Sequence, residues 1–460
     1  MLFYEYLREL NTIKEIHRMK TKDKHIYINV YLDDKKFVPA GVITFNEQAG
    51  YSSFSYFTQY MEDNLPPLNP STLNWRDKKQ KHFIVDTNSN NQMLDRTFWE
   101  LLPNTNDWGH QVLTQRYPEY EYLNNAQKLY FLGHRMVGGL SSYTETVSTE
   151  ENISGIDWLD KIRDESINLY VKNIEKISYI KAINPLSCYG GARPKCMFED
   201  DQGDFWIAKF NLPDDPYDMA KVEKVAMDIA KDIGLECAET KILELPSGEN
   251  VFLSKRFDRK GEDRFHSLSL FALAPGNTMI KNPNLQGNPS NFIQTLIRRY
   301  SDFENMDTLN IVMKMLLDIG INNTDNHLRN LRVILNKNNK WQLAPMYDII
   351  FNPNSQNHVY NPAGLTLENL YLSNPNLSQS MSKELGVKQS IIDDKINKTF
   401  KVIENWETYC NNQNMSNSDK EKVVNAVALG LYRQELKHSF NLNKNPIKKT
   451  YPKLTFKDKR

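Results

Sequence analysis

Residues 321–335 read INNTDNHLRNLRVIL. Before this stretch, Leu309, Val312, Met313, Leu316 and Leu317 recur at helical spacing, which predicts a strongly apolar helix stopping near Gly320. After Asn330, residues 331–335 read as a strand. Between the two lies a polar loop. A loop pinned between a buried helix and a strand can aim Asp325 and Asn330, five positions apart, into one site. A polar turn capped by Asn and Asp fits the same residues.

Working outward, a turn through 336–340 can close a hairpin and bring Asp348, in WQLAPMYDIIF, back towards Asn330. Met346, Tyr347, Ile349 and Ile350 would hold its carboxylate against a packed floor. An Asp that merely caps a helix is the competing reading. Upstream, WIAKF at 206–210 is the end of a predicted strand carrying Lys209. Fourteen residues later, Glu223 sits on a predicted helix over 219–233, with Val222, Val225, Ala226, Ile229 and Ala230 as its apolar stripe. A strand-edge Lys and a solvated Glu also fit. Further upstream is GGARPK, Gly190 to Lys195. Paired glycines permit a tight anion-binding turn, to which Arg193 and Lys195 add charge. It is neither a Walker A pattern nor a complete GxGxxG, and an ordinary turn fits it too.

The order of these pieces matters more than any one of them. Phosphoryl transfer from ATP needs backbone amides around phosphate, a cation on the alpha and beta phosphates, acidic and amide ligands for magnesium, and a carboxylate to orient the attacking hydroxyl. Gly190, Gly191 and Ala192 answer the first need. Lys209, aimed by Glu223, answers the second. Asn330 and Asp348 answer the third, and Asp325 the fourth. The Asp325–Asn330 spacing is that of the Asp and Asn in a kinase catalytic loop.

The rest of the chain bounds this reading. Its 460 residues carry 57 basic and 57 acidic side chains, so net charge gives no general pull towards nucleic acid or anionic membrane. Hydrophobic residues at 40% exclude general disorder. No apolar run suggests a membrane helix, and the amino terminus lacks the apolar core of a secretory signal. Cys188, Cys196, Cys237 and Cys410 form neither a disulfide scaffold nor CxxC pairs. A cytoplasmic setting is the expectation. A helix over 4–16 and strands over 25–32, 38–45 and 53–56 open the chain, followed by a short helix over 94–102 and strands or a turn over 129–140. Residues 150–180 read as helical. Strands over 242–245 and 251–253 follow the Glu223 helix, and amphipathic helices occupy 385–440. The expected domains are 1–150, 151–290 with the glycine turn and Lys209, a helical catalytic lobe at 291–443, and a basic tail at 444–460. The expected fold is α+β: a divergent two-lobed kinase-like fold with a β-rich amino-terminal subdomain and a mainly helical carboxy-terminal lobe.

Five segments carry a resemblance to the HipA-like serine/threonine kinases, the toxin kinases of bacterial toxin–antitoxin modules. They are GGARPK, WIAKF, KRFDR at 255–259, TDNHLRN at 324–330 and LAPMYDI at 343–349. FWELLPNTNDWG at 98–109 and FLGHRMVGGL at 131–140 resemble that family's first subdomain. The resemblance implies an ATP- and Mg2+-dependent protein kinase with Lys209 on the phosphates, Asp325 as base, and Asn330 and Asp348 as metal ligands. It implies that His327 holds the loop by a hydrogen bond. It places Lys255, Arg256 and Phe257 around the adenine, with Arg256 and Asp258 equally suited to a structural ion pair. The family's autophosphorylated serine aligns with Cys188, which leaves Ser187 as a substitute only if the loop has shifted. The implied partners are a protein substrate, such as an aminoacyl-tRNA synthetase, and a separate DNA-binding antitoxin. DNA contact would then be indirect, since the chain shows no helix-turn-helix. The basic tail, seven Lys or Arg against Asp458, suits an acidic partner or a solvated tail. A nucleotide-binding pseudokinase and a small-molecule kinase remain the alternatives.

Overall fold

A computed structural model describes residues 24–32, 36–46, 51–78, 82–85, 95–133, 136–142, 153–172, 191–261, 263–273, 305–323, 325, 328–352, 360–361, 365–366, 378–379, 382–383 and 386–431. The chain opens with β1 (Lys24–Leu32), β2 (Lys36–Asn46), β3 (Tyr51–Tyr56) and β4 (His82–Val85); with β5 (Leu140–Ser141) they form one sheet in the order β4-β3-β2-β1-β5. Alternation in β1 buries Ile26, Ile28, Val30 and Leu32. The β1–β2 register shifts at Ile28/Asn29. Aromatic residues fill the inner face: Tyr56 and Tyr60 stack at 5.5 Å, and the Tyr56 hydroxyl donates to the Leu73 carbonyl at 2.8 Å.

A second sheet joins β6 (Ile153–Ser154), β7 (Lys195–Glu199), β8 (Phe205–Phe210), β9 (Thr240–Glu244) and β10 (Asn250–Lys255) in the order β6-β7-β8-β10-β9. Trp206, Ala208 and Phe210 of β8 face a core shared with Leu159, Ile162 and Leu169 of the helix Ile156–Tyr170. By the two-residue strand period, Lys209 lies on the opposite face. The helix Met219–Asp232 buries Val222, Val225, Ala226, Ile229 and Ala230, the stripe read from the sequence.

After β11 (Arg259–Lys260) and β12 (Asp263–Arg264), a small sheet forms from β13 (Ser267–Ser269), β14 (Arg332–Leu335) and β15 (Trp341–Leu343). The apolar helix Asn305–Gly320 packs with the later helices Gln389–Glu404 and Asn417–Leu431 through Leu309, Leu316, Ile392, Phe400 and Val423. The fold is α+β, β-rich towards the amino end and helical towards the carboxyl end.

Two expectations change. Residues 125–132 form a helix, not a strand, because Asn124 and Gln127 make a reciprocal capping box at its start. Among the described residues of the following segment, only Leu140–Ser141 pairs as strand. The short helix expected over 94–102 is confined to Arg96–Trp99, started by Asp95, whose side chain accepts the Thr97 amide. The expected helix over 4–16, Cys188 and the tail 444–460 lie outside the described residues. Among the described residues, no helix is long and apolar enough to cross a membrane. Cys196, Cys237 and Cys410 are unbonded thiols.

Candidate functional site

Lys209 sits opposite Lys195 on one side and Phe252 on the other in the β7-β8-β10 ladder. Two lysines directly opposite on one sheet face repel each other, so anionic groups must balance them. Two do. The Lys209 ammonium lies 2.5 Å from Glu223 Oε1 and 2.6 Å from Asp348 Oδ1. Burial pushes Lys209 down, but the two carboxylates outweigh it and hold the ammonium above its ordinary pKa. Lys195 moves the other way. Burial and the neighbouring Lys209 charge push it down to about 8, against a smaller upward pull from Asp348 and Glu223.

Helical geometry places Glu223. Asp218 caps its helix by accepting the Lys221 amide, so Glu223 falls on the first buried turns facing β8. Asp348 is placed by backbone pairing: the Met346 amide donates to the Glu236 carbonyl at 2.7 Å, and the Ala238 amide donates to Met346 at 2.9 Å. Asp348 then turns with φ of 57°, a left-handed conformation that Asp tolerates better than most residues. The Tyr347 hydroxyl donates to the Arg329 carbonyl at 2.7 Å. That bond ties the residue before Asp348 to the residue before Asn330.

The loop after Gly320 is organised from below. Lys314 donates to both oxygens of Asp318, at 2.9 and 2.7 Å. Asp318 accepts the Asn323 amide side chain at 2.8 Å, and the Asn323 oxygen accepts the Asp325 backbone amide at 3.1 Å. From the other side, Asn330 Nδ2 donates to the Asp325 carbonyl at 2.9 Å. Asp325 is exposed and Asn330 is buried. His327 lies outside the described residues.

Asn330 uses its amide nitrogen on the loop, so its oxygen is the end left to act as a ligand. That oxygen and the Asp348 carboxylate are hard donors of the kind magnesium takes when phosphates and waters complete its shell. Among the described residues there is no group of three or more His, Cys, Asp or Glu able to hold a metal ion by itself.

Other expected residues have different partners. Arg193 makes a two-pronged pair with Asp215, at 2.8 Å through Nη1 and closer through Nη2. The Lys255 side chain pairs with Asp204, and its backbone amide donates to Glu239 at 2.8 Å. The Arg256 amide donates to Phe205 at 2.8 Å. Those two amides already have acceptors, and Phe257 packs its ring 5.6 Å from Tyr347. Arg256 and Asp258 form the structural pair, at 2.9 and 2.8 Å. Burial works against the Asp258 charge, but Arg256 and Arg259 outweigh it and hold the carboxyl far below the usual range. The same carboxylate accepts the Gly138 amide at 2.9 Å, while Arg259 donates to the Gly138 carbonyl at 2.8 Å and the Met136 carbonyl at 3.0 Å.

Gly191 and Ala192 are exposed; Gly190 and Ser187 lie outside the described residues. Two residues that the site reading did not single out hold this turn. Asp107 accepts the Gly191 amide at 3.1 Å, and the Trp108 amide donates to the Gly191 carbonyl at 2.9 Å. The Trp108 indole also donates to the Lys195 carbonyl at 2.8 Å.

Residues 187–406 match the family model of the HipA-like C-terminal domain, and in that span the chain resembles the HipA-like toxin kinases. A chain from the Shewanella oneidensis MR-1 toxin–antitoxin complex of HipA, HipB and operator DNA superposes with a TM-score of 0.55 at 14% identity, covering 90% of this chain and 97% of that one. That likeness supports the fold. The Helicobacter pylori proinflammatory kinase CtkA aligns at 17% identity over 55% of this chain and 95% of its own, with a TM-score of 0.37, too low to bear on the argument. No curated protein matches the sequence.

Proposed function

We propose that this chain is an ATP-dependent serine/threonine protein kinase of the HipA-like kind. The carrying observation is the Lys209 ammonium held between Glu223 on a helix and Asp348 on a distant loop. On this reading, Lys209 and Lys195 take the nucleotide phosphates, with the Gly190–Gly191–Ala192 backbone beside them. Arg193 braces that turn through Asp215. Asp348 and the Asn330 oxygen hold magnesium, which when bound neutralises charge gathering on the phosphate oxygens. Asp325 accepts the proton of a substrate hydroxyl. The hydroxyl oxygen bonds to the gamma phosphorus as the bond to the bridging oxygen breaks, and ADP leaves. The backbone around Lys255–Phe257 borders the adenine.

The domain division follows: an amino-terminal subdomain to about residue 150, a nucleotide-binding lobe at 151–290, a helical catalytic lobe at 291–443 and a basic tail. The Shewanella complex of HipA, HipB and operator DNA supports a setting in which a separate antitoxin accompanies the kinase and DNA contact is indirect; a cytoplasmic location is part of the same proposal. A translation component such as an aminoacyl-tRNA synthetase is the proposed target class. Transfer of gamma-labelled phosphate to protein, compared between the natural chain and Asp325→Asn, tests the reading. The variant should lose about a thousandfold in rate. Equal labelling by both proteins would remove Asp325 from its role.

A further inference from the structure

The glycine turn is held by a part of the chain that belongs to neither the strand of Lys209 nor the loop of Asp325. Asp107 and Trp108 start the helix Trp108–Arg116. Trp108 and Val112 of that helix nevertheless pack into the core of the second sheet, beside Trp206, Phe210 and Leu253. Asp107 divides its oxygens. Oδ2 accepts Asn104 through its backbone at 2.8 Å and its side chain at 3.0 Å, and Oδ1 accepts Gly191. Both backbone groups of Gly191 are thus engaged, its amide by Asp107 and its carbonyl by the Trp108 amide. The indole donates to the carbonyl of Lys195, four residues along.

Geometry makes this clasp sensitive. Gly191 has φ of 85°, and a Cβ on it would lie 3.3 Å from the Lys195 ammonium. The turn backbone therefore abuts the cation that sits opposite Lys209. Left alone, a short exposed turn would order only when its ligand arrived, and that ordering would be subtracted from the affinity. We propose that Asp107 and Trp108 are positioning residues that keep the glycine turn preorganised for a nucleotide's phosphates, so that the amino-terminal subdomain sets nucleotide affinity. The proposal rests on the kinase reading for its ligand, but the clasp itself can be measured without one.

The test uses the full chain. Hydrogen–deuterium exchange is followed for peptides covering 191–197 without nucleotide, and Mg-ADP affinity is measured by calorimetry. Asp107→Ala should speed exchange in those peptides, leave β1–β3 unchanged, and weaken Mg-ADP about tenfold. Trp108→Phe, which keeps a ring and removes the indole donor, should weaken it about threefold. Asn104→Ala spares the Gly191 bond and should stay within about twofold of the natural chain. A merely structural role would lower the fraction of binding-competent protein and leave the affinity of the remainder unchanged. Unchanged exchange at 191–197 in Asp107→Ala would overturn the clasp. Faster exchange with unchanged affinity would overturn its link to the nucleotide. Failure of the natural chain to bind Mg-ADP would count against the kinase reading, and the exchange result would still decide the clasp.

Discussion

Two lysine–carboxylate clusters lie in neighbouring regions, and they differ in one respect. Beneath the 321–330 loop, Lys314 is 0% exposed and Asp318 2%, and the pair closes on itself with Asn323. At the candidate site, Lys209 is 20% exposed and its partner Asp348 39%. The first cluster has a full set of protein partners and no approach from solvent. The second presents a cation and a carboxylate side by side where a ligand can reach them. A buried pair that satisfies itself supports a loop, while a half-open one can exchange a protein partner for a substrate.

The sharpest way to break this comparison is to remove each lysine. Lys209→Met should reduce phosphate transfer by about a thousandfold, read by single-turnover labelling; it also leaves Glu223, 8% exposed, without its counter-ion, so the urea midpoint falls too, though by less than in Lys314→Met. Lys314→Met leaves the Asp318 carboxylate buried without its counter-ion and should cost about 3 kcal/mol of stability by urea unfolding. The double variant Lys314→Met/Asp318→Asn keeps an amide oxygen for Asn323 and should return to within about 1 kcal/mol of the natural chain. If the losses exchange places, with Lys314 carrying activity and Lys209 stability, the contrast between the clusters is wrong.

A smaller effect sharpens the picture of the candidate site. Lys195 has a folded pKa of about 8, below its unfolded value near 10.4. Below pH 8 both states bind the proton and the folded chain carries the full penalty. Between pH 8 and about 10.4 the unfolded chain binds more protons, so this group's contribution to stability rises with pH across that window. Nucleotide affinity should run the opposite way, because phosphate favours the charged amine. Affinity should fall as pH rises above 8, with proton uptake on binding near pH 8 to 9, read by calorimetry in buffers of different ionisation enthalpy. Lys195→Met should flatten that profile.

These clusters also show which features the sequence carried. Lys209 and Glu223 were readable because each sits on an element with a clear period, and the period fixes which way a side chain faces. The nearness of Asn330 to the Asp325 backbone follows from their spacing within one loop. Asp348 could be placed roughly by its hairpin, but its left-handed backbone depends on Met346 pairing with residues more than a hundred positions earlier. Asp107 reaches Gly191 across 84 residues, with Trp108 beside it, and nothing local marks that contact. Arg193 offered a plausible phosphate cation, yet Asp215 takes its guanidinium. The helix over 125–132 starts on an Asn-x-x-Gln capping pattern, while the glycines that follow it fit a strand or turn equally well, so the local sequence alone does not decide between them.

Gly138 bears on how the chain can be cut. Its amide and carbonyl meet Asp258 and Arg259, and a Cβ there would lie 2.8 Å from the Ser267 backbone nitrogen. A fragment beginning after residue 142 would expose Arg259 with two lost acceptors and a raw face on β13. The segment around Gly138 is thus no detachable cassette, and a shorter version of this chain has to retain it to keep Asp258, Arg259 and β13 covered.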